Sequence, residues 1–298
     1  MENKVTAVQK MQDYIEANLS EKITLQELAD LAGYTFCYTS RIFKEITGIS
    51  ATDYIRARKL SVSASQIAQA GQNILQVALD TNFESHEGYT RAFKKQFGLT
   101  PSEYQESTPP IPLFFRRNAR DYYRFKMKGI DEMCNANVKT VFVQAVERPA
   151  RKLILKRGIK ADNYFDYCEE VGCDVWGVLC SIKNTLYPPV GLWLPNQLIT
   201  PGTSEYVQGV EVPVDYSGII PAGMEIIELP AILMLEFHSD AFTEEDWEEA
   251  VTSVAKVVKE YQPQKFGYRW IRQDAPKIQT EPHPDKGYME AVPVKRVK

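Results

Sequence analysis

Arg91-Ala-Phe-Lys-Lys-Gln-Phe-Gly-Leu-Thr-Pro-Ser-Glu-Tyr104 repeats a pattern that the chain already contains at Arg41-Ile-Phe-Lys-Glu-Ile-Thr-Gly-Ile-Ser50. Both stretches read Arg-x-Phe-Lys-x-x-x-Gly, followed by an aliphatic residue and then Ser or Thr. A repeat at a fixed spacing indicates a duplicated structural unit. Each copy predicts an amphipathic helix that ends at its Gly and is followed by the N-cap of another helix.

A shorter predicted helix precedes each repeated helix. Thr24 and Glu27 have the spacing of a capping box at the start of the first one, and Gly33-Tyr34 forms the predicted turn after it. In the second copy Asn73 is the predicted N-cap and Asn82-Phe83 the turn. Two helices joined by a short turn form a helix-turn-helix motif, whose second helix can enter the major groove of DNA.

Residues 5–106 resemble the DNA-binding domain of the AraC/XylS family of bacterial transcription regulators. The resemblance is carried by Ala29-x-x-Ala32-Gly33-Tyr34, Arg41-x-Phe43-Lys44-x-x-x-Gly48, Tyr54-Ile55-Arg56-x-Arg58-Lys59, Phe83-x-Ser85, Arg91-x-Phe93-Lys94-x-x-x-Gly98 and Thr100-Pro101-x-x-Tyr104. It implies an all-α domain over residues 1–106, with two helix-turn-helix units joined by a long helix. One chain would then read two successive major grooves of double-stranded DNA, about 34 Å apart.

Helical periodicity separates an inner face of each repeated helix from an outer one. The inner positions are predicted at Thr39, Ile42, Phe43 and Ile46, and at Tyr89, Ala92, Phe93, Gln96 and Phe97. The candidate DNA-binding residues on the outer faces are Cys37, Ser40, Arg41, Lys44, His86, Glu87, Thr90, Arg91 and Lys94. Arg56 and Lys59, between the repeats, are expected to contact phosphate. An arginine taken alone is more often a solvated charge, but the repeat and its helix-turn-helix setting favour base recognition.

The distribution of charge along the chain supports DNA binding better than the net charge does. The chain has a net charge of −4, and residues 1–106 contain 11 Lys and Arg against 13 Asp and Glu. Eight of those 11 bases lie in the repeated helices and the segment between them. A local basic face can bind phosphate in spite of an acidic total.

Composition also limits the protein's class and location. No run of 18 apolar residues occurs, so we expect no membrane span. Five scattered cysteines favour a reducing compartment over a disulfide framework. Cys168, Cys173 and Cys180 lack the spacing of a zinc site, and we expect neither metal nor cofactor. Together with the family resemblance, these features predict a cytoplasmic, nucleoid-associated bacterial protein.

Residues 107–137 are predicted to be a linker. Ser107-Thr-Pro-Pro-Ile-Pro112 has the composition of a connecting segment. Residues 114–128 then contain six basic residues, one acidic residue and several aromatics. This stretch could lie against DNA or tie two domains together, and its aromatic content favours the tie.

Residues 138–298 have the pattern of predicted strands and helices that is typical of an α+β domain. Helices are expected over 163–171 and 244–261. Strands are expected at Val138–Val146, Ala150–Leu155, Val175–Leu179, Val207–Val214, Met224–Leu229, Ile232–Phe237, Gly267–Ile271 and Tyr288–Val294. Glu147-Arg-Pro-Ala150 and Glu228-Leu-Pro-Ala231 begin two similar halves. We therefore predict a duplicated strand–helix–strand–strand unit, with helices on one face of an antiparallel sheet.

This half of the chain resembles the GyrI-like effector-binding domain. The resemblance is carried by the two halves and by Trp176-Gly177-Val178, Val210-Glu211-Val212-Pro213 and Glu290-Ala291-Val292-Pro293-Val294. It implies an aromatic-walled pocket with a buried glutamate for hydrophobic, often cationic, ligands. Glu290 is the candidate among three glutamates in apolar strands; strand alternation could point it, Glu211 or Glu236 to water instead. Candidate wall residues are Trp176, Trp193, Tyr206, Tyr268 and Trp270.

These features favour a DNA-binding transcription regulator that is controlled by a small hydrophobic, in some cases cationic, effector and contacts RNA polymerase. Two alternatives remain for the second half of the chain. It could be a hydrolase in which Glu290 acts with Tyr206 or Tyr268 as acid and base, or it could bind a protein partner such as gyrase or polymerase. The sequence leaves open the effector, the operator and whether regulation is positive or negative.

Overall fold

The computed structural model describes residues 2–69, 72–83, 85–116, 119, 140–172, 174–243 and 246–297. The chain divides into two compact units, Met1–Met127 and Lys128–Lys298. The first unit is helical, and the second is built on an antiparallel sheet with helices. Among the described residues, none of the helices combines the length and the apolar character that a membrane crossing needs.

The first unit is a succession of helices whose ends follow the predicted caps. Its described helices are α1 Glu2–Ala17, α2 Leu25–Ala32, α3 Phe36–Thr47, α4 Ala51–Ile67, α5 Ile74–Asp80, α6 His86–Phe97 and α7 Pro101–Ser107. The capping box of Thr24 and Glu27 is present at the start of α2, and Thr100 and Glu103 form another at α7. Asn73 caps α5 by accepting from two backbone amides, so these predicted helix starts are confirmed.

The turns of the two helix-turn-helix motifs adopt the same backbone conformation. Gly33 has φ 69°, and Asn82 has φ 55°. After each, a backbone N–H reaches back to the preceding helix: Tyr34 donates to Ala29 O at 3.1 Å, and Phe83 donates to Ala78 O at 3.2 Å. Gly and Asn tolerate this left-handed conformation better than other residues do. Both predicted turns are therefore confirmed.

Helix α4 belongs to two hydrophobic cores. Its first half places Ala51 and Tyr54 in the core of α1–α3. Its second half places Leu60, Ala64 and Ile67 in the core of α5–α7. A single helix that is buried at both ends in this way joins the two helix-turn-helix motifs within one unit.

The predicted inner faces of the repeated helices lie in these two cores. Ile42 and Phe43 of α3 are fully buried, as are Tyr89 and Phe93 of α6. Phe43 packs edge-on against Tyr54 with ring centroids 5.4 Å apart. The outer faces of α3 and α6 are left for solvent.

The segment that begins the predicted linker packs on the first unit. Ile111 and Leu113 are buried in the second core. The Phe114 amide donates to Ser61 Oγ at 2.8 Å, and its ring lies edge-on to Tyr54 at 5.3 Å. Residues 117–118 and 120–128 of the basic aromatic stretch lie outside the described residues, as do residues 129–139, so both interpretations of that stretch stay predictions.

The second unit contains a nine-stranded sheet and three α-helices within its described residues. The strands are β1 Val141–Arg148, β2 Arg151–Arg157, β3 Val190–Trp193, β4 Tyr206–Val212, β5 Glu225–Leu229, β6 Ile232–Ser239, β7 Tyr268–Trp270, β8 Lys277–Thr280 and β9 Met289–Arg296. The helices are α8 Tyr164–Val171, α9 Asp174–Ser181 and α10 Trp247–Glu260. The class of an antiparallel sheet with helices is as predicted.

Three elements differ from the sequence prediction. The predicted strand Val175–Leu179 is wrong: it forms most of helix α9. A short apolar run fits a buried helix as well as a strand, and periodicity alone cannot separate the two. Strands β3 and β8 were not predicted, because four residues are too few to show alternation against their Pro- and Gly-containing surroundings.

The sheet curls so that its two ends approach each other. The strand order is β1-β6-β9-β8-β3-β4-β2-β5, with β7 pairing with β9. Strand β1 is therefore at one end and β2 next to the other, yet only residues 149–150 connect them. Residues 230–231 connect β5 to β6 in the same way. Because each residue spans at most about 3.8 Å, both connections require the ends of the sheet to be close together.

The strand order also has an internal correspondence. Exchanging β1, β2, β3 and β4 with β5, β6, β8 and β9, respectively, reproduces the same order read backwards. Each of the two sets has one or two helices between its second and third strands. Strands β3 and β8 meet at the centre of the sheet, where the two sets adjoin.

Candidate nucleic-acid interface and ligand cleft

The predicted outer faces of α3 and α6 are accessible. In the described structure, Ser40 and Thr90 are half-buried, and the exposed candidates are Cys37, Arg41, Lys44, His86, Glu87, Arg91 and Lys94. Each helix thus presents an arginine and, one turn later, a lysine. The spacing follows from the helical period of 3.6 residues, which puts positions three apart on the same side.

Arg41 and Arg91 occupy equivalent positions of the repeat. Neither makes an ion pair with any residue that the structure describes. The Arg41 guanidinium lies over the Tyr38 ring, 5.0 Å from its centroid. Such a contact orients the side chain while leaving its charge and its donors available.

The start of α6 is capped in a way that exposes its first turn. Ser85 Oγ accepts from the backbone amide of Gly88 at 3.1 Å. Gly88 suits this cap, since a Cβ there would lie 3.0 Å from the Ser85 hydroxyl. His86 and Glu87 are therefore displayed beside the N-terminus of the helix.

Lys59 does not lie on the accessible surface, and the prediction that it contacts phosphate is wrong for this conformation. Only 7% of the residue is exposed, and its Nζ donates to the backbone carbonyl of Glu21 at 2.7 Å. Burial lowers the pKa of Lys59, against the opposite effect of the Glu21 charge. Arg56 is exposed and paired with Asp53 at 3.2 Å, a geometry that an incoming phosphate could replace.

All three glutamates within the apolar strands of the second unit are buried. Glu211 and Glu236 lie in a charged network where the ends of the sheet approach each other. Arg148 bridges them, with Nη1 at 2.6 Å from Glu211 and Nη2 at 3.0 Å from Glu236. Arg151 pairs with Glu211 and also donates to the carbonyls of Pro149 and Pro230, one in each two-residue connection.

His238 extends this network towards solvent. Its Nε2 lies 3.2 Å from Glu236 Oε2. Hydrogen bonding to His238 and then to Arg148 lowers the pKa of Glu236 from 4.5 to about 2, against the opposing effect of burial. The network therefore contains an ionised Glu236 carboxylate, and Arg148 lies between it and Glu211.

Glu290 lies on the other face of the sheet, the one that the helices cover. Its Oε2 is 2.8 Å from Lys277 Nζ, and its Oε1 accepts from the Tyr288 hydroxyl at 3.0 Å. Burial, followed by the neighbouring Glu290 charge, raises the pKa of Tyr288 well above its ordinary range. Tyr288 therefore stays a neutral donor to Glu290.

The aromatic part of this site is centred on Trp193 and Tyr206. Their rings meet edge-on with centroids 5.1 Å apart, and Lys277 Nζ lies 4.4 Å from the Trp193 centroid. Gln279 lies between Tyr206 and Tyr288: its Nε2 donates to the Tyr206 hydroxyl at 2.8 Å, and its Oε1 lies 3.2 Å from the Tyr288 hydroxyl oxygen.

Gly191 makes room for this arrangement. A Cβ at Gly191 would lie 2.0 Å from the Tyr206 hydroxyl, so any side chain there would displace the ring. Cross-strand pairing places Gln208, Gly191, Gln279 and Glu290 in one row across the sheet. We call the set Trp193, Tyr206, Lys277, Gln279, Tyr288 and Glu290 the cleft cluster.

The remaining predicted wall residues lie outside the cleft cluster. Trp176 of α9 donates to Glu281 at 3.1 Å. Part of Glu281 is accessible to solvent, but the surrounding protein excludes water from much of its carboxyl group. This desolvation raises the pKa of Glu281. Tyr268 and Trp270 pack instead with Phe237 in the core beneath α10.

A depression of about 280 Å³ opens beside the cleft cluster. It is lined by Trp193, Leu194, Pro195, Asn196, Glu205, Arg272, Gln273 and Lys277. Three members of the cleft cluster, Lys277, Gln279 and Tyr288, were not predicted from the sequence. The alternation Lys277-Ile-Gln-Thr-Glu281 was the available signal, since it puts polar side chains on one face of a strand.

The first unit therefore has the architecture of a bipartite helix-turn-helix DNA-binding domain. A family model for a helix-turn-helix domain matches residues 28–107. The chain is 38% identical over 102 residues to the Transposon Tn10 TetD protein of Escherichia coli, a match that covers 34% of this chain and 74% of TetD. It is 31% identical over 94 residues to the HTH-type transcriptional activator AarP of Providencia stuartii, covering 32% of this chain and 70% of AarP.

The chain belongs to the AraC/XylS family of DNA-binding transcription regulators. It is also 41% identical over 95 residues to the transcriptional regulator Rob of Salmonella typhimurium LT2, covering 32% of this chain and 33% of Rob. The match thus spans only a third of Rob, and this likeness describes the first unit of the chain.

Proposed function

We propose that the protein reads DNA with the outer faces of α3 and α6 and responds to a small hydrophobic molecule bound at the cleft cluster. The observation that carries the first part is the exposure of Arg41 and Arg91 at equivalent positions, with no ion pair among the described residues. The proposed DNA-binding residues are Cys37, Ser40, Arg41, Lys44, Arg56, His86, Glu87, Thr90, Arg91 and Lys94.

These residues divide into base readers and phosphate contacts. Arg41 and Arg91 suit guanine, whose O6 and N7 accept both donors of a guanidinium. Thr90 can contact either kind of base edge, and Glu87 can accept from cytosine. Arg56 supplies charge to the phosphates, which fixes the register of the protein without selecting sequence.

The test uses the full chain on a randomised DNA pool, followed by footprinting on the selected sites. Arg41→Ala and Arg91→Ala should each weaken binding by about 1–3 kcal/mol and relax the preference at a different base position. Lys10→Ala is the matched control, because Lys10 is an exposed base on α1 outside the proposed interface. We expect the control to leave the selected sequence unchanged.

Salt dependence separates base reading from general attraction. Two protected major-groove segments, about one helical turn apart, support the bipartite reader. Binding without sequence preference, lost between roughly 50 and 200 mM salt, contradicts it. Intact sequence-specific binding in both arginine variants would show that the site assignment is wrong.

The proposed effector domain is GyrI-like and duplicated. The reversed strand order supports duplication, because two similar halves related by a twofold axis produce this correspondence. The cleft cluster lies beside the junction of β3 and β8 and contains the buried carboxylate and aromatic walls expected of such a site. We propose a small hydrophobic ligand there, with Trp193, Tyr206 and Glu290 as contacts.

Tryptophan fluorescence can test ligand binding by the second unit alone. All four tryptophans of the chain lie in that unit: Trp176, Trp193, Trp247 and Trp270. A bound effector should also change operator affinity, and saturating operator DNA should change effector affinity by the same factor. If no hydrophobic molecule alters the fluorescence, the result favours the alternative in which the second unit binds a protein partner.

We further propose that the DNA-bound protein activates transcription through contact with RNA polymerase. Support comes from the similarity of the first unit to AarP, whose name describes a transcriptional activator. The contacts of Glu290 favour a regulator over the hydrolase alternative. Tyr288 binds this carboxylate, whereas Tyr206 is joined to it only through Gln279 and Tyr288, and Tyr268 packs in another core.

A further inference from the structure

The cleft cluster already contains a cation. The ammonium of Lys277 lies 2.8 Å from Glu290 Oε2 and 4.4 Å from the centroid of Trp193. A carboxylate and an aromatic face are the two groups that a cationic hydrophobic ligand would need. In this structure a side chain of the protein itself makes both contacts.

Because Glu290 is buried, the ion pair between Lys277 and Glu290 is costly to break. The Glu290 side chain is 4% exposed, whereas that of Lys277 is 28% exposed. An incoming cation would have to displace Lys277 from Glu290, and it would gain only the contacts that Lys277 loses. Adding a cation without displacing Lys277 would place two like charges beside one carboxylate.

The lining of the depression next to the cluster carries more bases than acids. Its lining contains Arg272 and Lys277 as bases and Glu205 as its acid. Glu290 behind Lys277 brings the formal charges to two of each sign. The ring of Trp193 and the apolar parts of Leu194 and Pro195 remain as contact surface. This lining suits an aromatic molecule without net charge.

We propose that Lys277 is the residue that determines ligand charge at this site: it acts as a built-in cation, so that the protein takes uncharged aromatic molecules and rejects cationic ones. The proposal rests on the proposed effector site. It adds the class of ligand and names the residue that selects it. It also reverses the cationic preference that the resemblance to GyrI-like domains implied.

Two probes of the same shape test the proposal. These are 3-tert-butylphenol, which is uncharged, and (3-hydroxyphenyl)trimethylammonium, in which a charged nitrogen replaces the quaternary carbon. Their affinities for the 298-residue chain would be measured by ligand-observed NMR titration. We expect the uncharged probe to bind about tenfold more tightly, a ratio that corresponds to about 1.4 kcal/mol.

Lys277→Met should reverse this preference. Methionine keeps a long unbranched side chain but removes the ammonium, so that Glu290 can pair with the cationic probe. We expect the cation to bind Lys277→Met about tenfold more tightly than it binds the wild-type protein, on the scale of one partly buried ion pair. The double variant Lys277→Met/Glu290→Gln has neither charge and should lose this gain while retaining the uncharged probe.

The outcomes distinguish this inference from the proposed function. A wild-type protein that binds the cation more tightly than its uncharged counterpart overturns the role of Lys277 but leaves an effector site in place. The same holds if Lys277→Met folds and gains no affinity for the cation. If neither these probes nor a wider set of aromatic molecules binds the wild-type protein, the effector site itself is refuted. Should Lys277→Met fail to fold, the wild-type comparison of the two probes still decides.

Discussion

The second unit contains two buried carboxylate clusters that differ in how they are neutralised. Where the ends of the sheet meet, Arg148 and Arg151 hold Glu211, and the exposed fraction of these three side chains is at most 4%. In the cleft cluster, one lysine with 28% of its side chain exposed holds Glu290.

This difference indicates two different uses of a buried acid. Arginine can bind two carboxylates and a carbonyl with fixed geometry, and it closes the sheet through the two proline-containing connections. Lysine binds as a single charge on a flexible stem, and Lys277 keeps part of its side chain in contact with solvent. The first cluster is suited to holding the fold together, and the second to presenting the Lys277 charge to a ligand.

The largest expected effect is at the first cluster. Arg151→Met should destabilise the second unit by about 3–5 kcal/mol, because it leaves Glu211 buried without one of its partners. Urea unfolding followed by tryptophan fluorescence measures this, since all the tryptophans lie in the second unit. Arg157→Met is the control: Arg157 pairs with Glu225, whose side chain is 45% exposed, and should change stability by less than about 1 kcal/mol. Equal effects of the two variants would contradict the closing role of Arg151.

Low pH should weaken the same cluster and so destabilise the second unit. The pKa of Glu236 is about 2 in the folded protein, compared with its ordinary value of 4.5. The stabilisation from this ionised carboxylate is therefore complete above pH 4.5 and is lost as the pH falls towards 2. At about 1.4 kcal/mol per unit of pKa difference, the loss is on the order of 3 kcal/mol. Unfolding of Glu236→Gln between these pH values should show a weaker dependence, and an unchanged slope would rule out Glu236 as its source.

A smaller effect is expected at the cleft cluster. Lys277→Met should lower the free energy of unfolding of the second unit by about 1–2 kcal/mol. The loss is limited because Glu290 keeps its hydrogen bond from Tyr288. Adding Glu290→Gln should recover part of this loss, since no charge is then left unpaired. The measurement is again urea unfolding without ligand. A loss as large as that of Arg151→Met would mean that both clusters are structural.

Much of the first unit could be predicted from the sequence because its signals are local. The capping box at Thr24, the helix start at Thr100, the turns at Gly33 and Asn82 and the inner faces at Phe43 and Phe93 each depend on residues within a turn or two. Lys59 was misplaced because its partner, the carbonyl of Glu21, is 38 residues away and no spacing rule connects the two.

The second unit was less predictable because its contacts are distant in sequence. Glu290 was identified as a buried acid, but Lys277 reaches it only after β8 and β9 pair. Trp176 was predicted in a strand because its apolar neighbours hide the helical register of α9. The pairing of β1 with β6 likewise joins residues about ninety positions apart, which local patterns do not indicate.

The short connections at residues 149–150 and 230–231 have a consequence for assembly. Strand β1 leads directly into β2 but pairs with β6, and β5 leads into β6 but pairs with β2. Each half of the sheet thus lends its outer strand to the other, as two subunits do in a domain-swapped dimer. Neither half can complete its own edge of the sheet. A chain cut between β4 and β5 should therefore yield two fragments that form the complete sheet only when they associate with each other.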